Sequence, residues 1–158
     1  MFQQLRGLAR LPTAAEWLLV LFTRLRILTQ HQYAIPLASA EKRCEFLTKM
    51  CVLRLDTCDP IFPPSLVANS LLVHSLVAVG LLPLDLLQPP GIDFQQWKMV
   101  FAASQPEGQG ATLPCMLPLH CINVLVQQVQ VSTGIDLAVL REDSYHIATF
   151  MRDAFQAS

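Results

Sequence analysis

Apolar residues recur at helical spacing along almost the whole chain, and one stretch departs from that rule by being apolar on nearly every side. From Leu66 to Gly80 the residues are apolar or small apart from Asn69, Ser70, His74 and Ser75. At about 100° per residue these four fall on several sides and form no wet stripe. A helix of that kind is surrounded by protein or by lipid. It follows a sharp turn, Asp59-Pro60-Ile61-Phe62-Pro63-Pro64, whose prolines cannot continue a helix because each lacks an N–H and fixes φ. Ser65 is the expected N-cap and Gly80 the expected C-cap. The predicted element is a buried central helix over about residues 65–80.

The flanking segments are amphipathic and can supply its wall. Phe2 to Ala9 is a short helical segment weakened by Gly7 and broken at Pro12. Thr13-Ala14-Ala15-Glu16 reads as a capping box before a helix over Trp17 to Leu28. Gln30 to Pro36 reads as a loop. Ser39 is the expected cap of the next helix, with Glu41 in its first turn, Cys44, Leu47, Cys51 and Leu55 near one face, and Lys42, Glu45 and Lys49 on the wet side. Leu81 to Pro90 holds three prolines and reads as a connector. Asp93 caps a short helix, Phe94 to Ala103. Gln105 to Gly110 reads as a flexible loop. Leu119 to Val131 has a strong helical period, and Pro118 either starts that helix or kinks it. Ser132-Thr133-Gly134 ends it, and a terminal helix is expected from about Asp143. No run alternates long enough for a strand. The fold class predicted is all-α.

Composition narrows the picture. The 158 residues suit one domain, and 53% apolar with 15% charged content excludes a disordered acidic or basic tail. The formal net charge of -1 carries no basic stripe for nucleic acid and little repulsion against self-association. The charge-free run Leu66 to Leu84 is long enough to raise a membrane alternative, a small helical membrane-associated protein. Its polar residues, Pro83, and the lack of flanking Lys/Arg clusters argue against a span. The N-terminus is a poor secretory signal.

Candidate chemistry is sparse. Cys44, Cys51, Cys58, Cys115 and Cys121 form no CxxC pair, and the first three stand seven apart. They read as small buried hydrophobes in a reducing compartment. His31 and His146 read as solvated surface residues, and adjacent His120 and Cys121 should point apart on a helix. No GxSxG, HExxH, zinc-deaminase or P-loop pattern occurs. A thiol enzyme pairing Cys115 or Cys121 with His74 or His146 lacks any local electropositive setting. No catalytic, cofactor or metal residue is assigned, no cofactor is expected, and the chain is read as not an enzyme.

Pro12-Thr13 before an apolar helix, a second helix ending in Leu55-Asp56, and Phe62-Pro63-Pro64-Ser65-Leu66-Val67-Ala68 together resemble the C-terminal cyclin box of the mitotic A- and B-type cyclins. Leu113-Pro114-Cys115-Met116-Leu117 and Leu119-His120 look like that family's fourth helix. The resemblance runs from Leu11 to about Phe155 and is most specific from Leu47 to Gly80. Cys51, Pro118 and the glycine-bearing loop before Thr112 depart from the family pattern. The resemblance implies a five-helix bundle around the central helix, with residues 12–155 as the domain and 1–11 as a remnant of the linker between two boxes. It also implies a cell-cycle regulator located in the nucleus, the cytoplasm or both, whose partner is a cyclin-dependent protein kinase. The family's first box makes most of the kinase contact and carries the M-R-A-I-L type docking patch. Neither has a counterpart here, so no functional residue is carried over.

Overall fold

The computed structural model describes residues 13–55, 62–105 and 112–156, with backbone only at 52–55. Six α-helices and one 3-10 turn lie among the described residues, with no strand. They are α1 (Ala14–Leu28), α2 (Ala34–Leu55), α3 (Pro64–Ala78), the 3-10 turn Leu84–Leu87, α4 (Phe94–Ala103), α5 (Leu119–Thr133) and α6 (Leu137–Gln156). The all-α class is as predicted. The lead-in 1–11, the helix end at Asp56, Cys58, Asp59 to Ile61 and the loop from Pro106 to Gly110 lie outside the described residues.

Helix α3 is the axis of the bundle. Every residue from Val67 to Ala78 is buried, the four polar ones included. Helices α1, α2 and α6 all pack on it, α5 packs on α1, and α4 packs on α6. The surrounding helices bury one stripe each, as their periods predict. Leu18, Leu21, Phe22 and Leu25 face inward on α1, Leu125 and Val129 on α5, and Leu140, Ile147 and Met151 on α6. Trp97 and Phe101 bring the largest rings of α4 into the same core. Trp97 is fully buried because its indole Nε1–H donates to the Leu84 carbonyl at 3.0 Å. No helix among the described residues is long and apolar enough to cross a membrane. The 15 residues of α3 rise only about 22 Å, short of the roughly 30 Å hydrocarbon core.

Several helix ends fall where the sequence places them. The Thr13 hydroxyl accepts from the Glu16 N–H at 3.2 Å, and the Asp93 carboxylate accepts from the Gln96 N–H at 2.8 Å. Pro118 is the N-cap of α5, so the helix starts there and is not kinked. Three ends differ. Helix α3 begins at Pro64 with Pro63 as its cap, not at Ser65, because a proline at the first helical position already has the right φ and no N–H to satisfy. Helix α2 begins at Ala34, five residues before Ser39, and takes Pro36 into its first turn, where no intrahelical N–H is needed. The loop before it shrinks to a left-handed turn at Gln30 (φ 54°) and His31 (φ 60°). Helix α6 starts at Leu137, well before Asp143; the Gln130 side chain accepts from the Leu137 N–H at 2.9 Å and stands in for a local cap. Within the expected connector, Leu84–Leu87 closes a 3-10 turn.

The end of α3 is the tightest junction. Val79 is the C-cap and Gly80 follows in the left-handed region at φ 86°. Leu81 N–H bonds the Leu76 carbonyl at 2.9 Å and Gly80 N–H bonds that of Val77 at 3.1 Å, the paired bonds of a Schellman motif. Leu113 N–H donates to the Ala78 carbonyl at 2.9 Å and lays the segment 112–116 across this end. A Cβ at Gly80 would stand 2.9 Å from the Pro114 carbonyl oxygen, whereas one at Gly134 (φ 72°) would meet open space. Gly80→Ala is therefore expected to destabilise by about 2 kcal/mol or more, and Gly134→Ala by about 1 kcal/mol, from backbone strain alone. Urea unfolding of the two variants checks the order; equal losses would mean that the 112–116 segment does not press on Gly80.

Candidate functional site

Buried polarity is concentrated on α3 and is structural. The Cys44 thiol of α2 donates to the Ser75 hydroxyl at 3.0 Å and approaches the Leu71 carbonyl at 3.3 Å. Burial pushes this thiol up to about 12, against a smaller favourable contact from Ser75. Burial likewise pushes Cys51 up to about 12. Neither supplies a thiolate near neutral pH, and the Cys44–Cys51 spacing is that of a buried helix face, as read; Cys115 and Cys121 are half-buried and so are not the buried residues expected.

His74 lies at the centre of the bundle, fully buried. Its Nε2 is 3.1 Å from the Ser144 carbonyl and also meets the Ser144 hydroxyl. A carbonyl only accepts, so Nε2 carries the proton and donates. Nδ1 is then a bare lone pair with no partner among the described residues. The ring stands edge-on to Phe101 with centroids 5.5 Å apart and tilted to Trp97 at 6.4 Å. A second proton would sit on Nδ1 with no acceptor, in apolar surroundings. Burial accordingly lowers the His74 pKa to about 4, the Ser144 bond opposing it.

The other sequence candidates do not converge on His74. Cys115 lies on the segment 112–116 and is half-buried; Cys121 is half-buried in the first turn of α5, and His146 is exposed on α6. His120 and Cys121 do not point apart: Cys121 Sγ is 3.5 Å from His120 Nε2, because both occupy an open first turn where the ring swings over. Tyr33 sits beside Cys121; burial raises its hydroxyl pKa, with a smaller contribution from that neighbour. Burial also raises the Asp143 pKa, opposed by His146. No group of three or more His, Cys, Asp or Glu among the described residues could hold a metal ion.

The structure adds an apolar groove that the sequence does not announce. It has a volume of about 550 Å³ and lies between the end of α3, the connector after it, α4 and the segment 112–116. Val77, Leu82 and Phe101 form its buried floor, and Phe94 and Leu113 expose apolar surface at its edges. Lys98 is the one charged residue on its lining, and Cys115 lies on the opposite wall. The signals in the sequence are faint. Lys98 is the single charge inside Phe94 to Ala103, and Leu113 to Cys115 lies between two stretches that read as loop and helix.

Comparison with protein-family models, with characterised proteins and with solved structures finds no match. The fold itself defines a class: an all-helical bundle wrapped round one buried helix.

The His74 geometry has a consequence for pH. The native pKa near 4 lies below the ordinary 6.5, so the unfolded chain binds the proton more readily. Stability from this residue is complete above about pH 6.5 and falls as the pH drops towards 4, by up to about 3 kcal/mol. His74→Gln should show a shallower loss than the parent between pH 6.5 and 4.5 when urea midpoints are compared. Parallel curves would remove His74 as the titrating group.

Proposed function

We propose that the chain is a cyclin-like helical interaction module that works by binding a cyclin-dependent protein kinase as part of, or derived from, a two-box cyclin. The observation that carries this reading is α3, buried from Val67 to Ala78 and entered through Phe62-Pro63-Pro64-Ser65-Leu66, within the stretch on which the resemblance is most specific. In that reading the helices packed around α3 supply the five-helix cyclin-like arrangement. The role is binding rather than catalysis. A partner of this kind shifts the kinase toward its active shape by its differential affinity for that shape. Apolar side chains exposed on α1 and α5, among them Ile27 and Val131, suit a surface that another protein covers. The same surface would favour self-association when uncovered. The location that goes with the role is intracellular, in the nucleus, the cytoplasm or both.

The test is reconstitution. The purified chain, alone or with a first cyclin box supplied in trans, is passed over immobilised cyclin-dependent kinases, and retained complexes are assayed for kinase activity. Retention and activation with the first box present, and no activation without it, are expected. Failure to retain any kinase in either arm would leave only an architectural relative.

A further inference from the structure

We propose that the outer face of α1 is the contact of a symmetric homodimer, in which α1 packs antiparallel on α1 of a second copy across Val20. Of the 15 residues of α1 only Glu16, Thr23, Arg24 and Arg26 are polar. Leu18, Leu21, Phe22 and Leu25 fill the side that meets the core. Leu19, Val20, Ile27 and Leu28 are left outside, and Leu19 and Ile27 expose 63% and 64% of their surface. The Thr23 hydroxyl among them donates back to the Leu19 carbonyl at 2.7 Å, so its polarity is satisfied within the helix. A helix apolar on both sides needs a wall on both. The core supplies one, and a second protein surface fits the other.

The charges choose the occupant. At about 100° per residue, Glu16, Val20, Arg24 and Ile27 fall within roughly 80° of one another, with Leu19 and Leu28 to either side. Glu16 and Arg24 are both exposed. They stand four residues before and after Val20, about 6 Å along the axis in each direction. A two-fold axis through Val20 therefore sets Glu16 of each copy opposite Arg24 of the other, and the two valines against each other. A parallel pairing would set Glu16 on Glu16 and Arg24 on Arg24. The face is thus complementary to itself in one orientation, which is what a closed two-fold contact requires. Arg24 keeps donors for this pair beside the bond from its Nη1 to the Ser132 carbonyl at 3.1 Å, and a carboxylate accepts several bonds at once. The formal net charge of -1 leaves little repulsion between two copies.

Sedimentation equilibrium of the purified chain over a wide concentration range should show a reversible monomer–dimer equilibrium. Val20→Glu sets two carboxylates face to face on the axis and should leave a monomer that circular dichroism shows to be folded. Glu16→Lys and Arg24→Glu should each weaken dimerisation roughly tenfold, because each turns two attractive pairs into repulsive ones. An equal mixture of those two variants should pair again as a heterodimer, since opposite charges then face each other. A monomer at every concentration or open-ended association would overturn the proposal. So would a dimer that Val20→Glu leaves intact, charge variants that pair as tightly as the parent, or no recovery on mixing. This inference goes beyond the kinase reading. Dimerisation with no kinase retained would sink that reading alone, and a monomer that retains a kinase would sink only the dimer.

Discussion

Burial of α3 on all sides is the constraint on which the rest of the structure depends. A helix with an apolar stripe needs one partner, whereas a helix apolar all round needs a closed ring of them. Here α1, α2 and α6 form that ring directly, and α4 and α5 brace it from behind. Helix α3 has no side-chain cap, no acid in its first turn and no base in its last. Its stability comes from packing, in the way most helices in proteins are held. Each fully buried leucine along it contributes about 1.5–3 kcal/mol relative to exposure. That gain also carries the buried polar groups. Ser75 accepts from Cys44 and His74 Nε2 donates to Ser144, each on a different surrounding helix, so polarity on the axis fixes the rotation of its neighbours.

How far this was legible in the sequence follows from what each feature is made of. Local features were readable because they are written in adjacent residues. The caps Thr13 and Asp93, the start at Pro118 and the stop near Gly80 each rest on side-chain or backbone chemistry within four positions. The buried character of α3 was readable for the same reason. Three helix starts differ from the sequence reading, two where a proline's local preference outweighs a serine cap and one where a neighbouring helix sets the start. Ser65 and Ser39 look like caps, but prolines nearby already suit a first turn, and the helices run past them. Leu137 starts α6 because Gln130, on the preceding helix, reaches over to accept its N–H. No window on Leu137 alone contains that bond.

The groove was illegible for a stronger reason. Its floor, edges and charge come from four segments separated by dozens of residues, and none is unusual in its own setting. Leu113 and Cys115 become a wall only because the Leu113 N–H finds the carbonyl of Ala78 at the end of α3. The side-chain geometry of His120 and Cys121 shows the same limit on a small scale. Helical spacing places Cβ atoms and says little about flexible groups in an open first turn. The sequence candidates for chemistry scatter over core, rim and surface.

Native-state hydrogen exchange tests the central claim most directly, because it reads how much of the bundle must open to expose a given amide. If α3 is enclosed by its neighbours, the amides from Leu71 to Ala78 exchange slowest in the chain, with a free energy equal to that of global unfolding by urea. Exchange in α3 that is as fast as in the outer helices α1 and α5, at free energies well below global unfolding, would contradict the account.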